Sequence, residues 1–527
     1  ESRFRREARE LQDRVGSLDE HERLVELTRL MAMIGDGHTS YPLLWDDAND
    51  LGRYPLEFHS AHDGVVVLST PPTRDELLGA EVLAIDGQPT SSVLDSLLLL
   101  DSRDNDLAPH LSLRFLAVPE VLHAVGVADS PDSATLDVRL PSGERRSVTL
   151  GRIPKPDIPS GHDHAPSWSV LASGEGPPLW LQDRNDAFWS RTLDESGTLY
   201  VQYNDASVEV NDAGQSLVDF TDGLVRRVRS ETVDRVVVDL RWNDGGSQWH
   251  SRILLHGLIE AERAFGARRT GRRDERDPHG KLFVIIGPGT FSAGTLFAAS
   301  LEWHTNAVFV GSPTGGRPNA FGETGRFRLP GTGYPIRTSI AYNQGTEARD
   351  ERPAIFPDVP VRYRVTDLQS GVDPAMSAVR RWEPDTVSAE RLVRQYRSDG
   401  LSAALQSYRR AERKGFSVQK GQELLRTLAR HLEAAGQESA ALGVFGLGAQ
   451  RFPWAAWGWA GRARIHHGRG QREHAVENAC EAYERDYYRT ELLDILEHHS
   501  ALECARRDRG SASGQTADSS TPGGGTR

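Results

Sequence analysis

The first change in the hydrophobic pattern along the chain separates an N-terminal helix from a β-rich segment. Over residues 1–34, leucine and valine recur at helical spacing within a stretch dense in charge, which predicts a helix. A Gly-Asp-Gly sequence ends this pattern, so we expect the residues just beyond it to lie on a turn. From about 55 to 150, short apolar runs alternate with Gly, Pro and Asp. We therefore expect an N-terminal helical segment over 1–45 and a β module over 46–150.

The middle of the chain has the pattern of an α/β domain. Residues 151–178 are rich in Pro, Gly, His and Ser, which predicts a linker. Beyond them, continuous apolar runs at 233–240 and 282–286 predict strands that are buried on both faces, with helical stretches between them. Strand, helix and strand in this order imply right-handed crossovers and a mainly parallel sheet over 179–382.

Helices replace strands in the last part of the chain. The segments 436–441 and 470–475 are similar at an offset of 34 residues. The period and the small residues resemble tetratricopeptide repeats, with two helices in each unit, while a generic helical bundle is the alternative. We expect this helical domain over 383–505, followed by a disordered tail, rich in Ser, Thr and Gly, over 506–527.

Composition narrows the classes of function. The 527 residues are too many for one core and predict several domains. The net charge of −13 argues against a nucleic-acid backbone or an anionic membrane as a partner. No apolar run approaches the ~20 residues of a transmembrane segment. The two cysteines exclude a disulfide scaffold and a cysteine-cluster metal site. We expect no metal and no cofactor, because the best metal-binding pair, His162 and His164, lies in the linker, where a solvated loop is the better interpretation.

The most informative stretch is Gly-Pro-Gly-Thr-Phe-Ser-Ala-Gly at 287–294. A buried strand ends there, glycines turn the chain, and Ser292 stands where a helix of small residues begins. Such a turn exposes a nucleophilic hydroxyl at the edge of a sheet, and the first helical amides, including that of Ala293, can face a developing oxyanion. Serine is also a common helix N-cap, so a capping role is the competing interpretation.

A second strand end carries the sequence Asp-Leu-Arg-Trp-Asn-Asp-Gly-Gly at 239–246. If its strand lies parallel to the strand before Ser292 and next to it, the two glycine turns meet at one edge of the sheet. The amides of Gly245 and Gly246 can then point at the same place as the amide of Ala293. The alternative is a plain turn between a strand and a helix.

Together, these stretches resemble the C-terminal-processing, or tail-specific, serine protease family, in the branch that includes the tricorn protease core. Further similar segments follow in order: 36–39 (Asp-Gly-His-Thr), 199–204, 314–319 (Thr-Gly-Gly-Arg-Pro-Asn), Glu351 with Pro-Asp at 357–358, and 371–374 (Gly-Val-Asp-Pro). The resemblance covers about 195–380, with 1–45 joining it. It implies a multidomain α/β protein with a protease core over 179–382.

The family uses two mechanisms, and the distribution of lysine separates them. Only four of the 62 basic residues are lysines, at 155, 281, 414 and 420. In the Ser-Lys branch the lysine follows the serine by about 25 residues, where this chain has Arg317, whose pKa is too high for a general base. A Ser-Lys mechanism would need Lys281 or a lysine from a distant domain, so the sequence favours histidine as the base.

The tricorn-like branch pairs a serine with a histidine, supported by a further hydroxyl and a glutamate. By resemblance, Ser292 would be the nucleophile, His38 the general base and Glu351 the acidic support. Gly37 stands where the branch has a serine, so the hydroxyl of Thr39 is the candidate substitute. Asn243 and Arg317 are candidate supporting residues. The alternatives for the base are His250 and His304, and those for the acid are Glu347, Asp350 and Glu323.

The resemblance also implies a substrate and a location. Residues 79–89 resemble the strand and turn of a PDZ domain, which implies that the β module is PDZ-like and can bind an extended peptide. The implied function is a serine endopeptidase that cuts unfolded or C-terminally exposed polypeptides, with a further protein partner bound by the helical domain. The alternative is a catalytically inactive ligand- or peptide-binding protein on the same scaffold. The family favours a periplasmic or extracellular location, with the cytoplasm also open, and the start at Glu1 suggests a missing or processed N-terminal region.

Overall fold

The computed structural model describes residues 2–46, 48–102, 112–154, 165, 167–174, 176–193, 197–230, 233–270, 281–346, 350–382, 389–414, 418–485 and 490–501. The chain divides into two compact units. The first comprises Glu1–Thr346, Arg352–Asp385 and Lys414–Gln419, and the second comprises Glu347–Glu351, Thr386–Arg413 and Lys420–Arg527. His162, His164 and the tail expected over 506–527 lie outside the described residues.

Two helices open the chain, α1 (Ser2–Arg14) and α2 (Glu20–Ala32). The single helix predicted over 1–34 is wrong at its middle, where a 3₁₀ turn, Val15–Ser17, separates the two. Asp19 starts the second helix, because its carboxylate accepts the N–H of Glu22 while the Glu22 carboxylate accepts the N–H of Asp19. The turn that carries His38 follows α2.

An antiparallel sheet forms the next part of the first unit. Its strands are β1 (Glu57–Ala61), β2 (Gly64–Thr70), β3 (Glu81–Ile85), β5 (Ser133–Arg139) and β6 (Arg145–Gly151), in the order β1-β2-β3-β5-β6. Two short strands complete it, β4 (Gln88–Pro89) beside β3 and β7 (Ser169–Val170) beside β2. Three helices accompany it, α3 (Thr90–Leu98), α4 (Ser112–Leu116) and α5 (Pro119–Ala124).

Alternating residues of β2 enter two different cores. Val65 and Val67 pack in the core with the apolar side chains of α3–α5, whereas Val66 and Leu68 pack against Leu171 and Trp180 on the other face. The linker expected over 151–178 therefore needs correction in its last third, because β7 pairs with β2 and the residue after β7 is buried. The PDZ-like nature of this module stays a prediction.

A second, six-stranded sheet forms the α/β core. Its order is β15-β12-β11-β10-β9-β8, from β8 (Phe188–Leu193), β9 (Thr198–Tyr203), β10 (Arg235–Asp239), β11 (Leu282–Ile286), β12 (Val308–Gly311) and β15 (Val359–Pro360). Only β8 runs antiparallel to its neighbour; the other pairs are parallel, which confirms the mainly parallel sheet predicted from the order of elements. A two-stranded hairpin, β13 (Asn319–Arg328) and β14 (Pro335–Gln344), stands apart from this sheet.

Both faces of the parallel sheet are covered, as continuous apolar strands require. Val236 and Val238 face the core formed with α6 (Leu217–Arg229), α7 (Gln248–Thr270) and α8 (Ala293–His304). Val237 faces the opposite core with α10 (Pro374–Arg381), which follows the short helix α9 (Val365–Gln369).

The second unit is helical over the part that the structure describes. It contains α11 (Ala389–Lys414, kinked at Gly400), α12 (Val418–Ala434), α13 (Glu438–Arg451), α14 (Ala456–Gly468), α15 (Arg472–Arg485) and α16 (Thr490–His498). The 34-residue repeat falls on equivalent turns, because Gly436 follows α12 with φ of +71° and Gly470 follows α14 with φ of +69°. The tetratricopeptide assignment and its expected protein partner stay predictions. Of the helices in the described ranges, none combines the length and the apolar character that crossing a bilayer requires.

Candidate active site

The two glycine turns leave the same edge of the parallel sheet. Because β10 and β11 are neighbouring parallel strands, the chain beyond Asp239 and the chain beyond Ile286 emerge side by side. The Thr290 hydroxyl donates to the carbonyl of Leu240 over 2.7 Å, and the amide of Phe291 donates to the carbonyl of Asn243 over 2.9 Å. These bonds hold the serine turn against the Asp-Leu-Arg turn.

A buried ion-pair cluster fixes the Asp-Leu-Arg turn itself. The Arg241 guanidinium bonds with Asp239 over 2.5 Å and with Asp373 over 2.9 Å, and the Tyr363 hydroxyl donates to Asp373 over 2.7 Å. Burial alone would raise the pKa of Asp373, but the neighbouring Arg241 charge holds the pKa below its ordinary value. This cluster therefore stabilises the turn. It is formed by residues from segments that the sequence had singled out, Asp239, Arg241 and Asp373.

Ser292 is half-buried and has an unusual backbone conformation. Its φ of 49° and ψ of −123° are unusual for a residue with a side chain, and its hydroxyl makes no capping bond to α8. The Ser292 Oγ instead lies 2.8 Å from Nε2 of His38. Ser292 thus occupies the N-cap position of α8, as the competing interpretation expected, but its side chain forms no capping bond there. The structure brings together the serine and histidine that the sequence had placed 254 residues apart.

His38 is oriented by groups from three segments. Its backbone N–H donates to the Asp36 carboxylate over 3.1 Å, which shapes the turn after α2. Its ring stacks on Phe291, the residue before the serine, with centroids 5.1 Å apart and planes inclined by 20°. The backbone of Phe321, on β13, acts on the ring as well and raises its pKa. The imidazole is thus held between the serine turn and the hairpin.

The electrostatics of the site favour a neutral imidazole. Burial lowers the pKa of His38 below its ordinary value of 6.5, although the Asp36 charge, the Phe321 backbone bond and the Glu323 charge each raise it. An imidazole with a lowered pKa is unprotonated near neutral pH and can accept the proton of a serine hydroxyl.

The predicted oxyanion donors have different surroundings. The Gly245 amide donates to the Asn243 side chain over 3.2 Å, and a Cβ added at Gly246 would lie 2.3 Å from the nitrogen of Ser207, away from the serine. A Cβ added at Gly245 would lie 3.1 Å from the amide nitrogen of Ala293 and 3.2 Å from Ser292 Oγ. Glycine at 245 therefore permits a close approach of this turn to the serine, because a Cβ there would also lie 2.7 Å from Cβ of Ser292. The Ala293 amide beside it has no acceptor among the described residues.

The carboxylates whose charge acts on His38 are Asp36 and Glu323, and Glu351 is not among them. Glu351 is exposed and groups with the second unit. Glu323 lies on β13, where its φ of 53° is unusual for a residue with a side chain. In the sequence, Glu323 was an alternative to Glu351 as the acidic residue only because it followed the glycine loop at 314–319. In the structure, Glu323 lies two residues after Phe321 on β13.

The other candidate supports occupy more peripheral positions. Thr39 does not reach the histidine ring: its hydroxyl donates to Asp36 over 2.5 Å and accepts the amide of Ser339, on β14, over 3.1 Å. Asn243 is buried and its side chain donates to the carbonyl of Tyr203 over 3.0 Å. Arg317 lies half-buried in the loop between β12 and β13. The role of Asp36 as the shared acceptor of this turn was missed, although it belongs to the histidine motif.

The rival bases lie elsewhere in the core. The Nδ1 atom of His250 bonds with the carbonyl of Ala206 over 2.9 Å, and His304 is exposed at the end of α8. Lys281 precedes β11, whereas Ser292 follows it, so the length of the strand, about 3.3 Å per residue, separates the two. This placement agrees with a histidine base and leaves no role for Lys281 at the serine.

Comparisons with known proteins agree with this architecture. The model of peptidase family S41 matches residues 198–361. A variant of CPAF is similar in structure, with a TM-score of 0.50 and 15% identity, over 75% of this chain and 92% of its own. The photosystem II D1 C-terminal processing protease gives a TM-score of 0.31 with 14% identity over 65% and 83%, and the tricorn protease 0.25 with 15% over 64% and 29%. No curated protein is significantly similar in sequence.

The class of protein that this core and the family match define is a serine-type peptidase. Residues 198–361 match peptidase family S41, which is the tail-specific protease family that the sequence motifs indicated.

Proposed function

We propose that this chain hydrolyses peptide bonds with Ser292 as the nucleophile and His38 as the general base. The observation that carries the proposal is the 2.8 Å contact between Ser292 Oγ and His38 Nε2. A nucleophile and a base within hydrogen-bond distance, with the base oriented by further groups, are the geometric signature of covalent acyl transfer.

The reaction runs in two balanced halves. Ser292 Oγ attacks the carbonyl carbon of the substrate while His38 Nε2 takes the hydroxyl proton, and the carbonyl oxygen becomes an oxyanion beside the Ala293 amide. The C–N bond then breaks, and the imidazolium gives its proton to the leaving amine. Water attacks the resulting acyl-serine with His38 again acting as the base, which releases the carboxylic acid and restores the serine.

The imidazolium that forms is stabilised by nearby negative charge. We assign this role to Asp36 and, to a smaller extent, Glu323 in preference to Glu351, because the charges of Asp36 and Glu323 raise the pKa of His38. Asp36 also holds the turn that carries the ring. Thr39 acts as a positioning residue through its bond to Asp36.

The hairpin beside His38 suggests the substrate class. Phe321, whose backbone bonds with the histidine, has a side chain that is 58% exposed, and its ring meets that of Tyr342 edge to face with centroids 5.1 Å apart. Ile340 on the same hairpin is 69% exposed. Exposed apolar side chains beside a reactive serine favour an extended, apolar segment of an unfolded polypeptide, either internal or at an exposed C-terminus.

Turnover of an unfolded protein such as reduced casein tests the assignment. We expect Ser292→Ala and His38→Gln each to lower kcat by at least about 10⁴-fold, because the two groups act as a unit. The matched control is His304→Gln, which removes an exposed histidine from the same core and should turn over casein like the wild-type chain. Comparable kcat for Ser292→Ala and the wild type would refute the assignment and favour a binding protein on the same scaffold.

The substrate class has a separate test. Replacing Phe321 and Tyr342 together by serine should raise KM for casein while leaving the rate of reaction with a small activated ester unchanged, because the ester needs no extended apolar contact. Phe327→Ser, a matched change of another half-exposed aromatic on the same strand, should leave both constants unchanged. An unchanged KM in the double variant would contradict the role of this surface.

A further inference from the structure

Three histidines meet at the ends of two helices in the second unit. His467 lies in the last turn of α14, His498 is the last residue of α16, and His499 follows it. One ring nitrogen from each lies within 4.8 Å of the others, and Nδ1 of His467 is 3.0 Å from Nε2 of His499. The three ring centroids are 4.8–5.0 Å apart in each pair.

This spacing is close to what a metal ion requires. Zn–N bonds of about 2.0–2.1 Å at tetrahedral angles place two ligand nitrogens about 3.3–3.4 Å apart. The 3.0 Å pair is close to this condition, whereas the three nitrogens span up to 4.8 Å, so metal binding requires the exposed His498 ring to move toward the other two. Imidazole ligands suit Zn²⁺, Cu²⁺ and Ni²⁺, whereas Mg²⁺ and Ca²⁺ require oxygen ligands.

The surroundings of the cluster also bear on cation binding. The last carbonyls of α14 and α16 place partial negative charge at this end of the unit, which favours a cation. Arg472, whose guanidinium donates to the carbonyl of His499, opposes a cation with its charge.

We propose that His467, His498 and His499 form a binding site for one divalent transition-metal ion, with Zn²⁺ as the best match and water in the remaining position. The site is independent of the proposed peptidase centre. It would join α14 to α16, whose apolar faces share one core through residues such as Ala460, Ala463 and Leu496. Metal binding would therefore stabilise the last helices of this unit.

The test uses the full chain carrying Ser292→Ala to prevent self-digestion, stripped of metal with a chelator. Zn²⁺ is titrated against a chromophoric chelator, and thermal unfolding is followed with and without Zn²⁺. We expect one Zn²⁺ per chain at micromolar affinity or tighter, and a higher unfolding temperature with metal. The double variant His498→Ala/His499→Ala should bind at least about tenfold more weakly and lose the temperature shift.

The matched control is His431→Ala, which removes another histidine from the same unit, on α12, and should bind Zn²⁺ like the parent. Circular dichroism checks the fold of the double variant; if helix is lost, His498→Gln and His499→Gln, which keep polar side chains, replace it. Absence of binding in the parent chain, or equal affinity in the parent and the ligand variants, would overturn the proposal.

Discussion

Replacing His59 with phenylalanine should remove much of the acid sensitivity of the first unit. His59 lies on β1 beside Trp180 and Trp242, with ring centroids 5.1 and 6.2 Å away, and its Nδ1 atom is buried without a hydrogen-bond partner in the described part of the chain. Burial lowers its pKa from 6.5 to about 4, and the charges of Arg241 and Arg184 act in the same direction while Glu57 opposes them.

The sign and the size of the effect follow from this lowered pKa. Because the unfolded chain binds the proton more tightly, the contribution of His59 to stability is complete above pH 6.5 and falls as the pH drops toward 4. A shift from 6.5 to about 4 corresponds to roughly 3 kcal/mol, at about 1.4 kcal/mol per pH unit. The residue as a whole is only half-buried, so solvent screens the charge and we expect about 2–3 kcal/mol.

Denaturant unfolding, followed by tryptophan fluorescence at pH 7 and pH 4, measures this term, because two of the reporting tryptophans touch the His59 ring. The wild-type chain should lose about 2–3 kcal/mol more than His59→Phe between the two pH values. Equal losses in both chains would refute the assignment of a buried, neutral histidine.

The same group limits the pH range in which activity can be interpreted. A cavity of about 610 Å³, lined by His59, Trp180 and Trp242, borders the turn 287–289 that leads to Ser292. Protonation of His59 would therefore disturb the lining of this cavity, which lies next to the turn before Ser292. Kinetic measurements at low pH therefore need the His59→Phe variant as a control.

Three further predictions concern catalysis. The acid limb of kcat/KM should have its midpoint below pH 6.5, because burial lowers the pKa of His38; a midpoint clearly above 6.5 would contradict the site. Gly245→Ala should lower kcat by about 10²–10³-fold with circular dichroism unchanged, because its Cβ would lie 2.7 Å from Cβ of Ser292 and would displace the serine side chain; an unchanged kcat would contradict the role of Ser292. Glu323→Gln should move the acid limb to still lower pH, because the charge that raises the pKa is lost, whereas Glu351→Gln should leave it in place; the opposite pattern would restore Glu351 as the acid.

The local pattern of apolar residues and glycines was sufficient to predict those strands and turns that depend on a single segment of the chain. Three consecutive valines at 236–238 predicted a strand buried on both faces, and the structure divides them between two cores. The glycine turn after β11 likewise predicted an exposed serine. The alternation of strands and helices predicted a mainly parallel sheet, and the structure fulfils the condition that β10 and β11 are parallel neighbours.

Other features depend on contacts that no local pattern contains. The backbone of Phe321 acts on the ring of His38. Because every residue has this backbone, the identity of residue 321 could not have indicated the contact. Glu323 reaches the site because β13 pairs with β14 and passes the histidine, which is a tertiary arrangement. The break between α1 and α2 was readable in principle, since Asp19 and Glu22 have capping-box spacing, but the leucine periodicity continues across it.

The central claim is that His38 activates Ser292, and covalent labelling with a fluorophosphonate tests it most directly. We expect the wild-type chain to be labelled on the peptide containing Ser292, at a rate that falls as His38 becomes protonated. His38→Gln and Ser292→Ala should not be labelled. Equal labelling of the wild-type and His38→Gln chains, or no labelling of the wild-type chain at neutral pH, would contradict it.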